Sequence, residues 1–146
     1  MVVTFCGHGD CHGDDIRVWL QNQIEATIAE GAELFYLGGY GGFDRMAASV
    51  VWELKREHPE IQSVLVLPYL DRKVNTEKYD GTTYPPLESV PKRFAISRRN
   101  QWMVDQSDVV IAYVTHSWGG AAKTLEYAHR KHKRIINYGD ELTAPK

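Results

Sequence analysis

The chain has 146 residues, 43% of them hydrophobic and 25% charged, with a formal net charge of −2. This is enough for one ordinary globular domain with a sizeable core. The near-neutral balance excludes a strongly basic nucleic-acid coat and an acidic disordered tail. The longest unbroken apolar run, Val109 to Val114, is far short of a membrane span. The opening Met1-Val-Val-Thr-Phe5 lacks the charged and long apolar regions of a signal peptide. The cysteines, Cys6 and Cys11, are too few for a disulfide scaffold. A cytoplasmic protein with reduced thiols is expected.

In chain order, Val2, Val3 and Phe5 form a short strand, followed by a Gly/Asp/His-rich turn from Gly7 to Asp15. Ile16, Leu20, Ile24 and Ile28 then recur every four residues, which is one face of a helix. Asp14 or Asp15 caps its start, and Gly31 suits the position past its end. Leu34–Leu37 is a buried strand, broken by Gly38-Gly-Tyr-Gly-Gly42. Phe43, Met46, Ala47, Val50 and Leu54 lie on a second helical face that stops before Pro59. Ile61–Leu67 is the third strand. Phe94–Val104 is helical, Asp108–Val114 is a strand, and Gly119-Gly120 opens a helix carrying Leu125, Ala128 and His132. Arg134–Tyr138 is the last strand.

This order predicts an α/β fold: a Rossmann-like three-layer domain over residues 1–146. Its mostly parallel five-stranded sheet has helices on both faces and right-handed crossovers. The stretch from Pro68 to Pro91 is left over. It carries Tyr69, Asp71, Arg72, Lys73, Tyr79 and Tyr84. Structureless segments of that length are uncommon in compact domains unless functional, so residues 68–91 read as a lid or wall over the site, or as a surface excursion.

Ligands of open α/β sheets bind outside the carboxyl ends of the strands, where the strand order reverses. Three glycine-bearing turns fall at such ends: Gly7-His8-Gly9-Asp10, Gly38-Gly39-Tyr40-Gly41-Gly42 and Ser117-Trp118-Gly119-Gly120. Each joins a close-approach backbone to a helix N-terminus, which is an anion cradle. A phosphorylated ligand follows. The dinucleotide fingerprint is incomplete, because Cys11 and His12 stand near the place of its third glycine. There is no Walker sequence, so ATP hydrolysis and ordinary NAD binding are disfavoured.

Ser97-Arg-Arg-Asn-Gln-Trp-Met-Val-Asp-Gln-Ser-Asp-Val-Val-Ile-Ala112 and Gly119-Gly-Ala-Ala-Lys-Thr-Leu-Glu-Tyr-Ala128 resemble the SLOG superfamily. That group includes the LOG-type phosphoribohydrolases, DprA and the YpsA-like proteins. The opening Val3-Thr-Phe-Cys-Gly-His8 is closest to the small YpsA-like branch. The resemblance implies a Rossmann-like domain that binds a nucleotide or nucleotide-derived ligand. Laid on the LOG signature, the first glycines fall on Gly119 and Gly120, the Glu on Glu126, the preceding-helix Arg on Arg99 and a methionine on Met103. Trp118, Ala122 and Lys123 depart from it, which alters the cradle a hydrolase would use. A homodimer is also implied, with the helix around Arg99 to Met103 as its interface.

The expected catalytic residues are Glu126 and Arg99. Glu126 would stabilise an oxocarbenium-like charge or activate water, with Arg99 orienting it or holding phosphate. A structural Glu126–Arg99 ion pair is the alternative. The expected ligand contacts are Gly7, His8, Gly38, Gly39, Gly41, Gly42, Arg45, Trp118, Gly119, Gly120, Lys123 and Thr124. Trp118 is placed to stack on a base. Asp44 reads as a helix cap, and His8 as a ligand contact or a structural histidine. Cys6, His8, Asp10, Cys11, His12 and Asp14 are metal-ligand types, but Cys11 and His12 are adjacent and nothing completes a tetrahedral set. No metal and no cofactor are expected.

The basic runs at Lys92-Arg93, Arg98-Arg99 and Arg130–Arg134 do not promise a continuous patch. A small nucleotide-type molecule is therefore the expected partner, with neither nucleic acid nor membrane. The reaction such a site would support is hydrolysis of the N-glycosidic bond of a nucleoside monophosphate. A non-enzymatic sensor or sequestering protein for a nucleotide signal is one alternative, and a nucleoside deoxyribosyltransferase-like enzyme is another.

Overall fold

The computed structural model describes residues 1–11 and 13–143. Its elements are β1 (Val2–Gly7), α1 (Asp14–Ala29), β2 (Leu34–Leu37), α2 (Gly41–Leu54), β3 (Gln62–Val66), β4 (Gly81–Thr83), α3 (Lys92–Asp105), β5 (Val109–Tyr113), α4 (Gly120–Arg130), β6 (Arg134–Asn137) and α5 (Tyr138–Thr143). The six strands form one parallel sheet in the order β4-β3-β2-β1-β5-β6. The α/β architecture read from the sequence is therefore correct, with six strands in place of five.

The added strand lies inside the 68–91 segment. β4 pairs with β3 through Val64↔Gly81 and Val66↔Thr83. Leu67 donates its N–H to Thr83 O at 2.8 Å. Asp80 fastens the start of β4: its carboxylate accepts the Ser63 N–H at 2.8 Å and a Lys55 Nζ bond at 2.7 Å. The sequence Gly-Thr-Thr has no apolar alternation, which is why its pattern gave no strand signal.

The sheet is buried on both faces because its strands are apolar at consecutive positions. Val109 and Ile111 join Val3, Phe5, Phe35 and Leu37 under Ile16, Leu20 and Ile24 of α1 and Phe43, Ala47 and Val50 of α2. Val110 and Ala112 face the other way, against Val104 of α3 and Ala122, Leu125 and Ala128 of α4. Side chains alternate across a strand, so a continuous apolar run packs two helical layers at once.

The cap of α1 differs from expectation. Gly13, at φ 121°, is its N-cap, and Asp14 and Asp15 lie in its first turn, where they favour the positive end of the helix. Gly31 does follow the helix with φ +106°. At the base of the sheet, Asp108 accepts the Val2 N–H at 2.8 Å and donates its own N–H to Val2 O, which ties β1 to the start of β5.

One close approach sets the upper edge. The Gly42 N–H donates to Gly9 O at 2.8 Å. A Cβ at Gly42 would lie 2.3 Å from Cys11 O, a backbone atom that cannot swing aside. Gly120, also in a first helical turn, has nothing within 4 Å of that position. Gly42→Ala is expected to destabilise the protein by about 1–3 kcal/mol through overpacking. Gly120→Ala should be neutral or stabilising by up to about 1 kcal/mol. Urea unfolding midpoints of the two variants check the contrast.

Candidate functional site

The strand order reverses between β1 and β5. From there the chain builds outward to β4 on one side and to β6 on the other. This is the crevice where the sheet rule places a ligand, and aromatic rings occupy it. His8 is buried, and its Nε2 accepts the Thr115 N–H at 2.9 Å. That bond puts the proton of the neutral imidazole on Nδ1. The His116 ring stacks on His8 at 3.7 Å with an interplanar angle of 10°. Trp118 stacks on His116 at 3.8 Å and 19°. The column starts at the sheet and ends in water, since Trp118 is 68% exposed. Burial lowers the His8 pKa, His116 lowers it further and Asp10 opposes them, so the ring favours the neutral form the bond requires.

The turns after β1 and β2 interlock beside this column. A Cβ on Gly7 would fall within the Phe43 ring of α2, and one on Gly41 would lie 2.8 Å from Gly9 Cα. Gly7, Gly41 and Gly42, expected to face a ligand, are used in contacts within the chain.

What stays open lies one step along the edge, over the ends of β2 and β3. A cavity of about 470 Å³ there is lined by Gly38, Gly39, Leu65 and Leu67, with the rings of Tyr40, Tyr69 and Tyr79 and the cations Arg45, Arg72 and Lys78 around them. Its size is that of ordinary small-molecule sites. Gly39 has φ +76°, and a Cβ there would meet Leu65 Cδ1 at 2.7 Å, so this glycine shapes the floor. Residues 68–79 of the long segment form the outer wall. Arg72 lies over the Tyr69 ring at 4.3 Å. Glu77 also lines the cavity, but Arg45, Arg72 and Lys78 outnumber it, and among the described residues Arg45 and Lys78 make no ion pair, so positive charge predominates there.

Of the predicted contacts, this cavity gathers Gly38, Gly39 and Arg45. It adds Tyr40, Tyr69, Arg72, Lys78 and Tyr79. Tyr40 comes from the glycine turn after β2; for the other four the sequence signal was the aromatic and basic content of the 68–91 segment, but nothing local to it shows which side chains turn inward. Tyr84, Asp71 and Lys73 do not line the cavity, and Asp71 pairs with Lys92 instead.

Arg99 and Glu126 are not brought together. Arg99 is 1% exposed. Its Nη1 donates to Gly38 O and Val66 O, each at 2.8 Å, and its Nε donates to Asn100 Oδ1 at 2.8 Å. Glu126 is an exposed residue of α4 that pairs with Arg130 at 3.5 Å. The expected ion pair between them, and the orienting role given to Arg99, are therefore corrected. α3 is hardly amphipathic and carries an arginine among its buried residues, so its pattern shows neither the buried face nor which strand ends its side chains meet. Arg99 and Met103 also point into the chain, at 1% and 2% exposure, so these two side chains do not present an interface to a second copy.

The remaining predicted contacts cluster at α4. Gly119, at φ +94°, turns the chain into the helix. Lys123 is exposed, whereas the buried Thr124 hydroxyl donates to Gly120 O at 2.9 Å inside its own helix. Cys6 and Cys11 are free and buried, and burial pushes the Cys11 thiol up to about 11. Among the described residues no group of three or more His, Cys, Asp or Glu is arranged to hold a metal ion. His12 lies outside the described residues. No helix among them is long and apolar enough to cross a membrane.

Comparison with known proteins adds the following. A family profile described as the YspA SLOG family matches residues 7–142. The UPF0398 protein BH1768 of Halalkalibacterium halodurans is 27% identical over 132 residues, which is 82% of this chain and 70% of that protein. A UPF0398 protein of Bacillus thuringiensis is 27% identical over 138 residues, covering 84% and 73%. Among solved structures, DNA processing protein A from Helicobacter pylori, described for its single-stranded DNA binding mode, superposes with a TM-score of 0.66 at 17% identity. The match covers 94% of this chain but 64% of that one, less than two thirds of its length. The Moco carrier protein from Chlamydomonas reinhardtii gives 0.57 at 17% identity, covering 94% and 75%. The reading that set nucleic acid aside as a partner is overturned by the first of these structures, in which this fold belongs to a single-stranded DNA binder. Whole-chain charge is a poor guide here, because a binding edge uses only the charges that line it.

Asp44 supplies a pH test of the site's floor. Its Oδ2 accepts a weak bond from the Tyr40 N–H at 3.4 Å, and a Cβ on Gly38 would touch both Asp44 and Arg99. Burial raises the Asp44 pKa to about 6, against the opposing pull of Arg99 and of the Tyr40 N–H. The folded state thus holds this proton at a pH where the unfolded chain has lost it. Stability from Asp44 is present below about pH 4 and is lost as pH rises through about 6. Asp44→Asn is expected to raise Tm at pH 7.5, with the gain shrinking towards zero at pH 4. Thermal melts across that range check it.

Proposed function

This chain belongs to the YspA SLOG family, and we propose that it binds a nucleotide or nucleotide-derived ligand at the C-terminal edge of its sheet. The observation that carries this reading is the cavity over β2 and β3. Tyr40, Tyr69 and Tyr79 offer faces and edges for a planar base, and Arg45, Arg72 and Lys78 offer charge for a phosphate. Charge-assisted bonds to phosphate are the stronger kind. Base–aromatic stacking is worth about 1–3 kcal/mol.

Binding is favoured over glycosidic hydrolysis because Glu126 stands on the exposed face of α4, paired with Arg130 and not held by Arg99. A carboxylate that acts on an anomeric carbon needs a positioned, water-shielded place. The two solved relatives are likewise named for binding single-stranded DNA and for carrying Moco.

Calorimetric titration with 5′-mononucleotides, the matching nucleosides and inorganic phosphate tests the reading. A mononucleotide should bind, and Arg45→Ala and Tyr79→Ala should each weaken it about tenfold, the loss of one charged or stacking contact. No free base should be released, in the wild type or in Glu126→Ala. Absence of binding to every mononucleotide, or binding that both cavity variants leave untouched, would overturn it.

A further inference from the structure

The ring column at the switch point is not used by the cavity. His8, His116 and Trp118 form three near-parallel layers at 3.7 and 3.8 Å, the spacing of stacked aromatic rings. Its inner end is anchored by the His8–Thr115 hydrogen bond and by the edge of the Tyr113 ring, 5.9 Å from His8. Its outer end is an indole with one face covered and the other in water. A large apolar ring held this way is costly to leave exposed, and a preorganised platform loses little entropy when a ligand docks. The ring that would extend the column by one layer is another flat aromatic one.

Two features say which one. One is charge: Lys123 is exposed one turn into α4 and no acid lies in the first turn of that helix, while Asp10 lies towards the inner, His8 end of the column. The position is also telling. The cavity spans the ends of β2 and β3, and the column stands at the ends of β1 and β5. With strands ~4.8 Å apart, the inner end of the column at His8 lies two spacings, roughly 10 Å, from the middle of the cavity, and the indole stands two ring layers beyond His8, at 3.7 and 3.8 Å. Bases stacked on each other lie roughly 3.4 Å apart. Two linked nucleotides therefore reach both places only with their bases splayed onto separate platforms, as single-strand binders hold them.

We propose that Trp118 is a second base-stacking station, so that the edge takes two covalently linked nucleotides, one base in the tyrosine cavity and its neighbour on the indole. This rests on the nucleotide reading above and adds the length of the ligand to it. The linked pair can be a free dinucleotide or a stretch of single strand.

The test uses the full chain with three probes: adenosine 5′-monophosphate, the 5′-phosphorylated adenylyl dinucleotide and an adenine single strand of about ten nucleotides. The dinucleotide should bind about tenfold tighter than the monophosphate, the gain of one stacked base. Trp118→Ala should remove that gain and leave monophosphate affinity unchanged, while Trp118→Phe keeps most of it. A strand that binds more tightly than the dinucleotide identifies single-stranded nucleic acid as the source, and equal binding identifies the dinucleotide; both sustain the second station. Equal affinities for monophosphate and dinucleotide in the wild type overturn it, as does a Trp118→Ala loss equal for both. In those cases a monophosphate still sensitive to Tyr79→Ala leaves the nucleotide reading standing. If neither monophosphate nor dinucleotide binds, that reading falls as well.

Discussion

The upper edge of this sheet depends on one buried cation. Arg99 reaches from α3 to the carbonyls of Gly38 and Val66, which end β2 and β3. Burial pulls the guanidinium's pKa down, and Asp44 opposes that shift. A single guanidinium nitrogen, Nη1, thus joins two adjacent strand ends, and the side chain is withdrawn from water. Removing the donor from such a buried set, which leaves two carbonyls without it, is far more costly than losing a surface pair. The floor of the cavity is the turn that Arg99 holds.

Around that anchor the edge is built by backbone approach. The turn after β1 and the start of α2 meet at Gly9, Gly41 and Gly42, and Phe43 packs where Gly7 has no side chain. Phe43 then stacks with Tyr113 at 5.9 Å, so the same interlock reaches β5. Three strand ends are locked into one rigid rim. The rim closes the crevice at the switch point with the His8–His116–Trp118 column and leaves the space beside it, under the 68–79 segment, as the open volume. Glycine-rich turns of a Rossmann-like sheet are usually read as ligand cradles. Here Gly41 and Gly42 are closely approached by other backbone, and Gly7 by the Phe43 ring.

The fold was largely legible in the residues. Consecutive buried positions such as Val109–Ala112, and four-residue spacings such as Ile16, Leu20 and Ile24, report burial by an element on its own sequence, so periodicity reveals them. Gly119-Gly120 and the helix after it carried the family resemblance correctly. β4 was hidden because a three-residue edge strand is defined by its partner, β3, and by the Asp80 clasp on Ser63 and Lys55. Arg99 was expected to orient Glu126, whereas its guanidinium bonds the carbonyls of Gly38 and Val66. Whether it meets Glu126 or two carbonyls depends on how α3 is set against the sheet, and nothing along α3 records that.

By itself the sequence determined the class of fold and the alternation of strands and helices, while its motifs pointed to the family. Fold class and alternation follow from local propensities and from which residues must leave water, and both are written along the chain. The tertiary structure alone decided which glycines touch protein, which tyrosines and cations of the 68–79 segment turn inward, that His8, His116 and Trp118 stack, and that Glu126 faces water. Each of these depends on distances between segments remote in sequence, set by how the helical layers and the long segment pack on a twisted sheet. No local pattern encodes such distances.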